Sequence, residues 1–271
     1  MYHNELEKIL LEQNPKNKFK MFELFYNKFL NNEYQFEKDY KAPILKEPSY
    51  VSFLNIVLPK EIKIRKYFDT NEGKISLLHT IAHIEYSAVD LALDAALRYT
   101  NMPIDYYKDW LEVAADEIRH FKMLENMLIE LGSFYGALSV HTNLFEAMKN
   151  TQDFIERMAI VPRYLEANGL DQNPKIINKL KSSNDSFNKK ILDTLQIILD
   201  EEIDHVKKGD RWFKYGCNKQ NLDPESTYLN ILEKFYPGST SKHQKLNFDA
   251  RKKAGFSCEE LKKLSNSKDC F

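Results

Sequence analysis

The chain has 271 residues, enough for one or two domains, and its 39 basic and 40 acidic residues nearly cancel. This balance excludes a global electrostatic attraction to nucleic acid or to an anionic membrane, although a local basic patch could still face an RNA. Glycine is scarce, with 8 residues in all, which favours helices over a turn-rich β fold, so we predict an all-α fold.

The N-terminal part is predicted to be an extension of the main domain. Residues 1 to about 37 read as two short helices broken near Asn14, and the second carries an aromatic stripe typical of a packing surface. Prolines interrupt residues 38–70, which we interpret as an irregular wrapping segment. The first twenty residues are too charged for a signal peptide, and no run approaches the ~18 apolar residues of a membrane span. We therefore expect a cytoplasmic protein that does not engage a membrane.

A first long helix is predicted from Ile75 to about Tyr99. Its apolar stripe includes Ile81 and Val89, and Glu85 lies between them, four residues from each. A carboxylate that points into a core is costly unless it is paired or binds a metal. Glu85 is therefore a candidate metal ligand.

A second long helix, from about Asp105 to Leu131, contains a Glu-x-x-His motif formed by Glu117 and His120. Residues three apart lie on one face of a helix, so a carboxylate and an imidazole at this spacing can bind one ion. Both residues share a face with apolar neighbours, which predicts that the motif faces the core. One such motif is weak evidence, because internal polar residues of a helical bundle can satisfy each other.

The third and fourth long helices are predicted to repeat this arrangement. The fourth runs from about Asp185 to Tyr215 and carries a second Glu-x-x-His motif, Glu202 and His205, on an apolar face. The third runs from about Leu144 to Asn168, is kinked at Pro162, and offers two candidate glutamates, Glu156 and Glu166. It is followed by a short helical piece after Pro174.

Spacing favours Glu166 over Glu156 as the ligand on the third helix. Glu85 precedes Glu117 by 32 residues, Glu166 precedes Glu202 by 36, and Glu156 precedes it by 46. Two helix pairs of similar geometry should have similar spacings. Glu156 nevertheless stays open, because Glu166 lies close to Gly169, near an apparent helix end.

Three histidines outside the motifs are interpreted as supporting residues. His79 and His83 are off the face of Glu85, so we read them as structural, or as groups that orient the ligands, and not as ligands themselves. His141 is predicted to lie in a loop, where it either tethers the loop or gates the site.

The C-terminal tail, residues 221–271, is predicted to be an extension that packs on the bundle and ends in a helix near CEELKKLSNS. The three cysteines are far apart and odd in number, which predicts reduced thiols and no disulfide framework. They are Cys217, Cys258 and Cys270.

Six stretches of the chain together resemble the DUF455 family of the ferritin-like superfamily, over roughly residues 45 to 265. Residues 1 to 37 are interpreted as an addition outside the resemblance. The stretches are LLHTIAHIEYSAVDLALDAAL, YKDWLEVAADEIRHFKML, LGSFYGALSVHTNLFE, RMAIVPRYLEANGLDQNP, ILDEEIDHVKKGDRWF and FDARKKAGFS.

The resemblance implies a ferritin-like four-helix bundle over residues 71–220, with the helical and wrapping extension at 1–70 and the irregular extension at 221–271. It implies that two metal ions, iron, manganese or one of each, are bound by six ligands. The EANGLD stretch matches the family around Glu166 and supports it over Glu156. The implied ligands are Glu85, Glu117, His120, Glu166, Glu202 and His205.

Three functions are compatible with such a site. The first hypothesis is an oxidoreductase that activates O₂ to hydroxylate or oxidise a small-molecule or RNA substrate, with an unidentified electron donor. The second is a ferroxidase or iron-binding protein without an organic substrate. The third is a non-enzymatic interaction module that docks through its N-terminal aromatic helix. A homodimer is compatible with each of them.

Overall fold

A computed structural model describes residues 1–62, 68–181, 185–240 and 245–270 of the chain. Its regular elements are helices, and one isolated parallel bridge joins Ile56 and Val140, so the all-α prediction is confirmed over these ranges. The chain divides into two compact units, Met1–Lys149 and Asn150–Phe271, which are described separately. Among the described helices we find none with the length and apolar character needed to cross a membrane.

The first unit begins with the predicted pair of short helices, α1 (Tyr2–Leu11) and α2 (Pro15–Leu30). Asn14 starts the second helix, because its side chain accepts a hydrogen bond from the Asn17 backbone N–H and so caps the N-terminus of α2. Pro15 occupies the first helical turn, where its missing N–H costs nothing. The predicted break near Asn14 is thus confirmed.

A buried ion pair fastens α2 to the first long helix, α3 (Asn71–Arg98). The Lys18 ammonium is fully buried, contacts the Asp90 carboxylate and donates to the Leu10 carbonyl oxygen at 3.1 Å. The Ser49 hydroxyl donates to the other Asp90 oxygen at 2.6 Å. The predicted aromatic stripe on α2 packs in the core on the same side as Lys18. The N-terminal helices are therefore an integral part of this unit's core.

Helix α3 packs lengthwise on α4 (Ile104–Glu130), and both helices extend close to their predicted bounds. Thr70 caps α3 by accepting from the Gly73 N–H at 3.1 Å. The segment before α3 is irregular where it is described, as predicted, apart from a short 3₁₀ turn at Pro59–Glu61. Residues 63–67 of that prediction lie outside the described ranges. Helix α5 (Asn143–Asn150) ends the unit.

The second unit departs from the predicted third helix. The chain forms α6 (Phe154–Ile160), a π-helical segment (Val161–Glu166) and α7 (Ala167–Leu180). The kink predicted at Pro162 appears as this π segment. The helix end predicted near Gly169 is wrong, because α7 continues through Gly169 and Pro174. The final long helix, α8 (Ser186–Lys219), packs on all three.

The C-terminal extension of this unit is helical, with α9 (Pro224–Phe235), α10 (Phe248–Lys253) and α11 (Cys258–Ser265). The predicted terminal helix is confirmed. The prediction of three reduced thiols is wrong, because Cys258 and Cys270 form a disulfide and only Cys217 is free. Asn266 ends α11 in the left-handed conformation, and this reversal turns the chain back on the helix until the two Cα atoms are 5.8 Å apart.

Reducing the disulfide is expected to loosen the end of the chain. The bond closes a loop with a sequence separation of 12, so it stabilises the cross-linked segment by about 3 kcal/mol of loop-closure entropy. Cys258→Ser and Cys270→Ser should increase hydrogen exchange in α11 equally, whereas Cys217→Ser should not. Alkylation followed by mass spectrometry checks the bond itself, and three alkylated thiols without prior reduction would contradict it.

Candidate metal centre

Glu85 lies in the middle of α3, in a stretch that is buried almost throughout from Leu77 to Leu97. Its side chain is 3% exposed. The helix places it there because apolar residues precede and follow it at helical spacing on the side that packs against α4. The prediction that this carboxylate points into the core agrees with its burial.

Glu117 and His120 occupy the facing helix, α4, and both are 0% exposed. The Nδ1 atom of His120 lies 3.2 Å from a Glu85 carboxylate oxygen and 3.6 Å from a Glu117 oxygen. One ligand atom from each of the three residues lies within 4.8 Å of the others. Two carboxylates and one imidazole therefore converge in the interior of the first unit.

The electrostatics of this cluster show two carboxylates competing for one cation. Burial raises the pKa of Glu85, and the negative charge of Glu117 raises it further. Burial alone would lower the pKa of His120, but its hydrogen bonds and attraction to Glu117 and Glu85 outweigh burial and raise it. Without a metal, one imidazolium can pair with only one of the two carboxylates, and a pKa of about 8 means that Glu85 holds a proton at neutral pH. A divalent cation would displace that proton and bind both carboxylates.

The second Glu-x-x-His motif is on α8 of the second unit. Glu202 and His205 are both buried, and the Glu202 carboxylate lies 3.8 Å from Nδ1 of His205. The motif sits on the apolar face of α8 with Ile198, Leu199 and Val206. Within the first unit, a metal ion could be held by three buried side chains, those of Glu85, Glu117 and His120. In the second unit, Glu202 is likewise buried.

The two glutamates proposed for the third helix have different environments. Glu166 is the last residue of the π segment and is half-buried. Glu156 lies in the first turn of α6, and its carboxylate accepts a hydrogen bond from the Lys234 ammonium at 2.5 Å. Because Lys234 already neutralises Glu156, Glu166 is the better candidate ligand on this part of the chain.

The histidines of α3 tether the loop that follows α4. Nε2 of His79 accepts hydrogen bonds from the backbone N–H groups of Gly136 at 3.0 Å and Leu138 at 3.3 Å. Nε2 of His83 donates to the His141 carbonyl oxygen at 2.9 Å, so its Nδ1 must accept from the Tyr135 hydroxyl. These contacts support the structural interpretation of both side chains.

Acidification is expected to release this loop through His79. Burial lowers the pKa of His79 from 6.5 to about 4. The unfolded chain therefore takes up a proton first, and stability is lost as the pH falls from about 6.5 to about 4, by up to roughly 3 kcal/mol. Denaturant unfolding across this pH range should show a steeper loss for the wild type than for His79→Gln, whose amide oxygen accepts without titrating. Parallel pH profiles of the two proteins would contradict the assignment.

The donor set suits iron or manganese. Carboxylates and imidazoles are the ligands these ions prefer, and none of the candidate ligands is a cysteine thiolate. Each Glu-x-x-His motif is also sheltered by the apolar stripe of its own helix, which would keep bulk water away from a bound ion. The residues present therefore fit the predicted metal group.

Comparison with known proteins gives a family but no activity. Residues 11–262 match the model of a family described as "Protein of unknown function (DUF455)". An "Uncharacterized protein" of Haemophilus influenzae is 34% identical over 275 aligned residues, which cover 96% of this chain and 92% of that protein. No solved structure matches.

The matched range corrects one prediction about the N-terminus. Residues 1 to 37 were expected to be an addition, but the family match begins at residue 11 and the relative covers nearly the whole chain. The physical reason is the Lys18–Asp90 pair, which makes α2 part of the first unit's core. The burial of this face of α2 could have been predicted from the sequence, since Lys18 falls on the same stripe as Phe22 and Phe25.

Proposed function

The chain belongs to the DUF455 family, and from that premise we propose that it is a ferritin-like di-metal carboxylate protein that activates O₂ to oxidise a substrate. The observation that carries the proposal is the buried cluster of Glu85, Glu117 and His120. Two carboxylates in a core repel each other and are poorly solvated, so they persist where a cation compensates them. Iron, manganese or one ion of each would serve.

The second ligand set in the proposal is Glu166, Glu202 and His205. Each unit then has two candidate carboxylates and one imidazole, so the same pattern of ligands occurs in both. Four carboxylates neutralise two divalent cations, so a pair of ions can be held without net charge in an apolar interior. The pattern supports two ions, where either set alone would supply ligands for one.

The bound metal pair would supply electrons to O₂, and the chain's own residues would set the conditions for that chemistry. The carboxylates of Glu85 and Glu117 would hold the cation, and the imidazole of His120 would complete its coordination without adding charge. The buried faces of α3 and α4 would exclude water from the ions. The substrate in this proposal is a small molecule or an RNA.

Metal analysis tests the proposal most directly. Wild-type protein purified from its native cells is expected to contain two equivalents of iron, manganese or both, and Glu202→Ala to contain less. Protein loaded with Fe²⁺ without oxygen should then consume O₂ when it is admitted. Metal-free wild-type protein that also fails to take up Fe²⁺ or Mn²⁺ would overturn the metal site. Fully loaded protein that consumes no O₂ would overturn the oxidase function alone.

A further inference from the structure

The π segment of the second unit, Val161–Glu166, has a structural cause in its own sequence. Pro162 lacks the N–H that a regular helix needs, so the α-helical ladder is interrupted there. A π segment accommodates one extra residue, and this rotates the chain beyond it by about 100° relative to an uninterrupted helix. The direction of the last residue, Glu166, therefore depends on whether this segment keeps its winding.

Helix α8 is shaped to receive the segment. A Cβ atom on Gly209 would clash with the Pro162 ring, so the glycine allows the proline to lie directly on α8. The next residue, Asp210, accepts a hydrogen bond from Nε of Arg163 at 2.8 Å. Two consecutive residues of α8 thus contact two consecutive residues of the π segment.

Arg163 is the main anchor, and its guanidinium is fully buried. Its Nη2 donates to the Glu260 carboxylate at 2.6 Å. Its guanidinium carbon lies 4.0 Å from the ring centre of Tyr228 and 4.5 Å from that of Phe256. The Tyr228 hydroxyl also donates to the Arg163 carbonyl oxygen at 3.2 Å, so the backbone of the π segment is held as well as the side chain.

The C-terminal extension is built to present Glu260 to this anchor. The Ser257 N–H donates to one Glu260 oxygen at 2.8 Å, and the Ser257 hydroxyl accepts from the Glu260 N–H at 3.0 Å. This reciprocal cap at the start of α11 leaves the other carboxylate oxygen for Arg163. Gly255, at φ +101°, lies so close to Asp210 that a Cβ atom would clash with its carboxylate.

We infer that Arg163, held by Glu260 and Asp210, is a positioning residue that fixes the π segment in the winding that directs Glu166 to the metal. The inference rests on the proposed function, since it assigns Glu166 a ligand role. It gives the C-terminal extension a role at the metal centre. An ion pair between two residues that are 97 positions apart in sequence holds the winding of the π segment. The matched comparison is the buried Arg251–Asp171 pair, which fastens the same extension to α7 instead of to the π segment.

The experiment compares Glu260→Gln with Asp171→Asn. Glu260→Gln keeps an oxygen for the Ser257 N–H but removes the charge that faces Arg163. Mn²⁺ affinity, measured by calorimetry and electron paramagnetic resonance, is expected to fall about tenfold or more, and Glu260→Asp should recover part of it. Hydrogen exchange of the metal-free variant should rise across Val161–Glu166. Asp171→Asn should change Mn²⁺ affinity less than about twofold while exchange rises near Arg251.

The outcomes separate the inference from the proposed function. Faster exchange in the π segment of Glu260→Gln with Mn²⁺ affinity equal to that of Asp171→Asn would overturn the positioning role alone. Unchanged exchange in the π segment would also overturn it, because the ion pair would not hold the winding. A wild-type protein that binds no Mn²⁺ or Fe²⁺ would overturn the proposed function and this inference together.

Discussion

Glu117→Gln is expected to have opposite effects on the metal-free and the metal-bound protein. In the metal-free protein Glu117 and Glu85 compete for one imidazolium, and ionising both of them in the core is costly. Replacing one carboxyl group by an amide removes that cost, so the free energy of unfolding should rise by about 1 kcal/mol. In the metal-bound protein the substitution removes a charged ligand. Metal affinity should therefore fall more than about 100-fold, beyond the usual loss for a residue that only orients a ligand.

Denaturant unfolding with and without Mn²⁺ measures both effects in one series. Glu112→Gln provides a matched control, because Glu112 is exposed on the same helix, five residues before Glu117. It should change neither quantity appreciably. If Glu117→Gln destabilised the metal-free protein, the cluster would be a structural ion pair with His120, and the metal interpretation would be wrong.

The direction of the stability change is informative, because burial alone does not distinguish a metal site from a structural ion pair. Glu117 and His120 are both 0% exposed, as they would be in a satisfied structural pair. A structural pair loses stability when one partner is neutralised, whereas a metal-free ligand cluster gains it. This is the conflict between stability and function that is expected where side chains are arranged to bind an ion.

The inward direction of the candidate ligands could be predicted from sequence because the signal is local. Glu85, Glu117 and Glu202 each lie on an apolar stripe, and helical periodicity relates the stripe directly to the core. Burial of His120 and His205 follows from their spacing of three residues. These predictions needed no knowledge of how distant segments pack.

The features that the sequence did not predict depend on distant partners. The third helix was expected to end near Gly169, but α7 continues through Gly169 and Pro174, so tertiary packing overrides the local preference. The role of Arg163 could not be predicted because its partners, Asp210 and Glu260, are 47 and 97 residues away in sequence. The disulfide likewise depends on the reversal at Asn266, which the spacing of the cysteines does not reveal.

Asp90→Ala is expected to be the most destabilising substitution in the first unit. It leaves the Lys18 ammonium, which is 0% exposed, with the Leu10 carbonyl oxygen as its described hydrogen-bond acceptor. Breaking a buried pair by removing one partner costs about 3–5 kcal/mol, because a charge remains in the core without compensation. Urea unfolding followed by circular dichroism should register this as a lower midpoint, and hydrogen exchange in α1 and α2 should rise.

The double variant Lys18→Met/Asp90→Ala separates the charge from the packing. Methionine fills much of the lysine's volume without its charge, so the double variant should recover a large part of the stability that Asp90→Ala loses. Equal midpoints for the single and double variants would mean that the cost comes from the cavity at Asp90 and the lost Ser49 contact. Recovery would show that α2 is held by a compensated charge in the core, as expected for a segment inside the family match rather than a later addition.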